Sequence, residues 1–191
     1  MKIILFLLCL LPTLLFAARY RTDPEHSRIG FRISHMMINH VNGQFNDYIG
    51  TFDFDPKAGT LKDTSFVVKT NSIDTGVQKR DDHLRTKDFF NVEKFPEMTI
   101  TNSKITRKKK NDYKWTGDLT LLGVTKPVTF DLTYNGMKKD KDGKNKVGFT
   151  AKGKINRQDF GMTFNAPADG GGLLVGNDVD ILIDIEAFEE K

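Results

Sequence analysis

The chain has 191 residues, of which 38% are hydrophobic and 28% charged, with 15 phenylalanines. That length fits one domain better than two, and that apolar content excludes a disordered chain. Twenty-nine basic against 25 acidic residues leave +4 at neutral pH, too mild an excess to imply nucleic acid without a clustered basic stripe.

Met1-Lys2 is followed by the apolar run Ile3–Leu11, then Pro12, Leu14–Phe16 and Ala17-Ala18. A positive start, an apolar run and a small-residue end form the pattern of a secretory signal. The run is short of the ~20 apolar residues a membrane span needs. The reading is a signal peptide over 1–17 and one domain over 18–191. Leu15 is large for its place before the cut, and a retained anchor is the alternative. Cys9 sits mid-run behind bulky Leu8, which argues against a lipid anchor, and it is the only cysteine. From Ala18 onward there is no disulfide, thiol nucleophile or thiolate metal site, so the domain stands on its core.

The remaining sequence alternates apolar and polar residues with a period of two, the pattern of half-buried strands. Ile29, Phe31 and Ile33 open it, followed by Val41, Gly43 and Phe45. Phe52 and Phe54 fall on the other parity, which predicts a bulge or bend near Asp47–Gly50. Further alternating runs carry Phe66 and Val68; Met98 and Ile100; Trp115, Gly117, Leu119 and Leu121; and Val128, Phe130, Leu132 and Tyr134. Val147 to Ile155 and Val179 to Ala187 complete the set. Turn signals separate them: Asn111-Asp112 in the basic tip Arg107–Lys110, Gly123, and Asp142-Gly143 in the Lys-rich tip Lys138–Lys146. About eight strands with short links predict an all-β antiparallel meander, closed as a barrel or folded as a sandwich.

One connection is long. Between Thr75 and Pro96, Val77, Arg80 and Leu84 have helical spacing, with Ser72, Asp74 or Thr75 as cap. We expect a short helix over one barrel end, then a turn that sends Phe89 and Phe90 inward. A second irregular stretch, Gln158 to Asn177, contains Gly170-Gly171-Gly172.

No HExxH, Walker, GxSxG or dinucleotide motif is present. Of the histidines His26, His35, His40 and His83, none has a cysteine, an i,i+4 histidine or a carboxylate triad beside it, so wall and turn residues are favoured over a metal site. Ser27 beside His26 and Ser34 beside His35 point to opposite strand faces and form no nucleophile–base pair. The basic tips suit anionic surfaces or serve as solvated hairpin ends.

The inward parity holds Phe31, Ile33, Phe45, Phe52, Phe66, Met98, Trp115, Leu119, Phe130, Phe149, Ile181 and Ile183, together with Gly117 and Gly153. Glycine provides nothing to pack, so these positions leave a ring-lined lumen, or else mark bends and close packing. An eight-stranded barrel is about wide enough for one small ligand.

Several segments resemble the YceI-like, polyisoprenoid-binding proteins of bacteria. They are Tyr20–Ser27, Phe31–His35, Val41–Phe45, Ser72–Gly76, Arg80–Leu84, Asp88–Phe90, Phe95-Pro96, Gly117–Val128, Arg157–Gly161 and Val175–Val179. The tip Arg107–Lys110 and the loop Pro167–Gly172 depart from the family pattern. The resemblance implies a lipocalin-like barrel with a helical cover and a periplasmic location. It implies an apolar tunnel for an isoprenoid lipid or similar long-chain amphiphile, with no other cofactor and no chemistry performed. His35, Arg80, His83, Arg85 and Arg157 are then the mouth residues that meet a head group, although Asp81 and Asp82 offer Arg80 and Arg157 structural partners. A homodimer and a transient membrane-surface contact stay open. The alternatives are an enzyme acting on an isoprenoid or quinone lipid, and a filled barrel without ligand.

Overall fold

The computed structural model describes residues 17–167 and 174–190. The signal segment expected over 1–17 therefore lies, but for Ala17, outside the described residues, as does most of the Pro167–Gly172 loop.

Eleven strands form one sheet. They are β1 (Ala18–Thr22), β2 (Arg28–His35), β3 (Asn39–Phe45), β4 (Tyr48–Asp55), β5 (Thr60–Lys69), β6 (Ile73–Asp74), β7 (Glu97–Arg107), β8 (Asp112–Leu121), β9 (Val124–Lys139), β10 (Asn145–Asn156) and β11 (Val175–Glu189). Three pairs are single staves broken once. β1 and β2 run along the same edge of β11, with Tyr20 opposite Glu189 and His35 opposite Val175. β3 and β4 follow them along the next edge, and β5 and β6 the next. The result is a closed, eight-stranded antiparallel barrel in meander order, with every neighbour the next stave in sequence except where β11 closes onto β1 and β2.

Each break has a local cause. Pro24 has no N–H for the ladder, and between β1 and β2 the Ser27 hydroxyl substitutes, donating to Glu186 O and accepting from Glu186 N–H, both at 3.0 Å. The bend predicted near Asp47–Gly50 falls slightly earlier, at Asn46-Asp47, between the end of β3 and the start of β4. Asp63 and Asn102 hold left-handed backbone (φ 45° and 51°) at register shifts in β5 and β7, a conformation these two residue types tolerate best.

Beyond Lys69, paired with Glu97, the β5–β6 stave leaves β7 and pairs only with β3. The gap is filled by residues 75–96, including helix α1 (Gln78–Arg85). Thr70, 1% exposed, ties this cover to the wall. Its N–H donates to Pro96 O at 2.9 Å and its hydroxyl to Phe95 O at 2.8 Å.

The expected helix is present, but its expected caps are not. Val77 occupies the N-cap without a side-chain bond. Asp74 accepts from Gly76 N–H, and Thr75 gives its N–H and hydroxyl to buried Asp81 at 3.0 and 2.5 Å. The helix is held by Asp81 reaching back to the chain that enters it.

Candidate functional site

At the α1 end of the barrel a cavity of about 550 Å³ opens, within the ~300–1,000 Å³ range of small-molecule sites. A second void of about 80 Å³ shares six wall residues with it, among them Phe31, Phe45, Met98 and Ile181. A third of about 40 Å³ shares Phe66, Ile183 and Ile185 with the second. Together they describe a tube that narrows along the barrel axis. Below it, Phe54 packs against Phe149 and Tyr134 at 5.0 and 5.1 Å, and Tyr20 stacks on Phe52, so the far end is closed by aromatic rings.

The sequence-predicted wall residues divide along this tube. Phe31, Ile33, Phe45, Met98 and Ile181 line the wide section. Phe66, Leu119, Phe130 and Ile183 line the middle, and Phe52, Trp115 and Phe149 the narrow end. Phe89 and Phe90 both face the wide section, as expected. Met162, Phe164 and Leu174 also line it. They lie in the irregular stretch after β10, where no periodicity singles them out.

Gly117 and Gly153 differ from expectation, because neither opens the lumen. A Cβ on Gly153 would lie 2.3 Å from Phe130 Cδ1, and one on Gly117 would lie 2.7 Å from Ser103 Oγ and 2.8 Å from Ile100 Cγ2. Gly153 and Phe130 are direct cross-strand partners. The same holds for Phe31 over Gly43 and Phe66 over Gly50, whose Cβ positions would lie 2.4 and 2.3 Å from the ring. Three times, then, a phenylalanine ring covers the glycine opposite it, the pairing known to rescue glycine in sheets. The ring lies along the wall above its glycine, and this packing shapes the tube.

The mouth is cationic. Lys79, Arg80 and Arg157 line the wide section with His35 and His83, and no carboxylate is among the described residues that do so. Arg157 is 2% exposed. Its Nε and Nη1 donate to Gly176 O and Met162 O, each at 2.8 Å, and its Nη2 to Asn177 Oδ1 at 3.4 Å. Burial pulls this guanidinium below its ordinary pKa, yet arginine remains charged in proteins. Arg80 donates from Nε to Thr75 Oγ1 at 2.7 Å and from Nη2 to Thr75 O at 2.9 Å. The expected pairing of Asp81 and Asp82 with Arg80 and Arg157 does not occur: Asp81 binds Thr75, and Asp82 binds Gln78 and Arg85.

His83 Nε2 meets Asp88 Oδ2 at 3.1 Å, and its ring stands edge-on to Phe89 and Phe164, both at 5.1 Å. This trio joins the helical cover to the β10–β11 connection. Arg85 is misplaced by the mouth reading. It turns away from the cavity to donate to Asn71 O and Ile73 O, each at 2.9 Å, and fastens α1 to β6.

Outside the barrel, Asp23, Glu25 and His26 bring ligand atoms within 4.8 Å of one another. Asp23 is already occupied, by His26 Nδ1 at 2.9 Å and Lys146 Nζ at 3.1 Å. Burial raises the Asp23 carboxyl, but the hydrogen bonds from His26, Lys146 and Glu25 N–H outweigh it and hold the pKa below the usual value. Ser27, bonded to Glu186, makes no hydrogen bond to His26 in this network.

Known proteins match this arrangement. The YceI-like domain matches over residues 20–187. Protein YceI of Salmonella newport (strain SL254) is 38% identical over 178 residues, covering 92% of this chain and 89% of that protein. The crystal structure of the Campylobacter jejuni YCEI protein superposes with a TM-score of 0.73 at 38% identity, over 83% of this chain and 91% of that one. A polyisoprenoid-binding domain from Saccharophagus degradans shares the fold, with a TM-score of 0.64 at 14% identity over 92% of this chain and 99% of that domain.

Proposed function

The chain belongs to the YceI-like domain family, and from that premise we propose that it is an exported, periplasmic binding protein for a polyisoprenoid or similar long-chain amphiphile. It serves transport, storage or sequestration and performs no chemistry on its cargo. The observation that carries this reading is the narrowing apolar tube under a cationic mouth. A tail in the tube gains ~0.8 kcal/mol for each CH₂ removed from water, so it is held without polar contacts. The head stays at the mouth, because burying a polar or charged group without partners is costly. Arg157 and Arg80 favour an anionic or strongly dipolar head. Arg80 Nη1, which has no partner among the described residues, is the free donor there.

The test is native mass spectrometry of protein purified from its own host. A co-purified lipid is expected, and its mass identifies the class. Protein that emerges empty, and that fails to take up a polyprenyl phosphate or a quinone from detergent, would point to a barrel without ligand.

A further inference from the structure

The two ends of the barrel differ in chemistry. At the closed end, the β7–β8 and β9–β10 tips carry exposed Lys108, Lys109, Lys110, Lys138, Lys139 and Lys141. At the open end, the β2–β3 tip reads Met36-Met37-Ile38, exposed by 39, 76 and 84%. Val77, at the start of α1 on the lip of the cavity, is 48% exposed. Ile38, Met37 and Val77 are the three most exposed large apolar side chains of the described residues, and they stand on either side of one stave. β3 descends from the tip, and Thr75, two residues before Val77, packs beside Gly43 on β3.

The tip is also unfavourable as a turn. Ile38 N–H closes it onto His35 O at 3.2 Å, and both central residues hold left-handed backbone, Met36 at φ 52° and Met37 at φ 61°. That geometry favours Asn-Gly, because it crowds the Cβ of any other residue against the following carbonyl oxygen. Met-Met is thus the poorer choice for the turn and for solubility alike. An outlier of this kind, at the rim of a cavity, points to a role for the side chains themselves.

We propose that the Met36–Ile38 tip and Val77 form a docking surface for a lipid bilayer with anionic headgroups, into whose interface the tip inserts with the cavity mouth facing the membrane. Exposed apolar side chains beside cations are what interfacial binding requires. Lys79 and Arg80 on the same lip supply the cations. The proposal rests on the lipid-cargo reading in one respect: docking the mouth lets a tail pass between bilayer and tube without crossing water.

The test uses the protein from Ala18 onward, without the signal, and vesicles of phosphatidylethanolamine with phosphatidylglycerol, alongside vesicles of phosphatidylcholine. The variant M36N/M37G/I38T supplies the residues the turn prefers, so its thermal midpoint is expected to equal or exceed that of the parent. Its partitioning onto the anionic vesicles is expected to fall by about tenfold or more, since the three large apolar side chains of the tip no longer leave water. In a second variant, Met37→Trp, the new indole is expected to shift to the blue on vesicle addition and to be quenched by brominated lipid, while buried Trp115 is not. Cargo occupancy measured in detergent is a separate readout. Vesicle binding without cargo uptake would keep the docking surface and remove the cargo reading. The proposal is overturned if the parent ignores both vesicle types, if the tip variant binds as the parent does, or if K108E/K109E/K110E abolishes binding that the tip variant retains. It is equally overturned if the tip variant only turns a dimer into a monomer in sedimentation, which would make the tip a contact between copies.

Discussion

Replacing Gly153 by alanine tests whether phenylalanine rings seated on glycines shape the tube. The added Cβ would sit 2.3 Å from Phe130 Cδ1, 2.8 Å from Cε1 and 3.1 Å from Cγ. Carbon atoms pack at ~3.5–4.0 Å, so the ring must retreat by about 1 Å or more. It has little room to do so. Trp115, its partner on β8, stands 5.0 Å away, and the free space is the void of about 80 Å³ that Phe130 itself lines. Overpacking of this kind costs about 1–3 kcal/mol, offset by the ~0.5–1 kcal/mol that alanine gains over glycine in a strand. A net loss of up to about 2.5 kcal/mol lowers the midpoint by up to about 10 °C for a chain of this size. The assay is thermal unfolding followed by near-ultraviolet circular dichroism of Trp115, the only tryptophan. Gly148→Ala is the control, because its Cβ would meet nothing nearer than Asn135 Cβ at 3.4 Å. Phe130→Leu combined with Gly153→Ala should cost less than the two singly, since the smaller side chain vacates the space. A Gly153→Ala midpoint matching the Gly148→Ala control, or strict additivity in the double variant, would refute the reasoning.

Further variants probe other features. Ser103 Oγ is buried without a hydrogen-bond partner among the described residues, so Ser103→Ala should leave stability in chemical denaturation unchanged or raise it by up to ~1 kcal/mol. Arg157→Met strands the carbonyls of Met162 and Gly176 and should cost about 3 kcal/mol or more, because hydrogen bonds to charged groups contribute ~1.5–3 kcal/mol each. Arg80→Met should weaken uptake of a prenyl phosphate by about tenfold or more while sparing a quinone of equal tail length, because the tail contribution cancels. For Asp23, whose folded pKa is depressed, the associated stability is present above the unfolded value of ~3.9 and is lost as pH falls through the lower folded value. Lys146→Met should therefore lower the midpoint at neutral pH, with the deficit shrinking below about pH 4.

The barrel was legible because its information is local. Inward and outward residues alternate at fixed spacing, so Phe31, Trp115, Phe149 and Ile183 can be assigned to the inner face from their own strands. The shift of parity between Phe45 and Phe52 likewise placed the break that the structure has at Asn46-Asp47. For the glycines the sequence leaves two readings, lumen or close packing, because their meaning is not local. Gly153 beside Lys152 and Lys154 is a gap, and only the register that sets it opposite Phe130, 23 positions earlier in the numbering, shows the gap to be filled. Arg85, read as a mouth residue, turns away from the cavity, and Arg157 lines it with its donors already taken, for the same reason. A sequence shows a cation in a motif but not which oxygens reach it, and these came from Met162 and Gly176 in one case and from Asn71 and Ile73 in the other.

The distinction separates what holds the mouth from what faces it. Arg85, Asp81 and Thr70 spend their hydrogen bonds on the helical cover, binding Ile73, Thr75 and Phe95, so substitutions there should loosen the cover whatever ligand is offered. Arg157 belongs to both groups, since its bonds join β11 to the chain after β10 while the residue also lines the cavity. Arg80 alone among the lining arginines has a donor nitrogen left over after its structural bonds to Thr75. Head-group selectivity is therefore best sought at Arg80, and loss of fold at Arg157. A variant of Arg157 that fails to bind would report on the scaffold before it reported on the ligand.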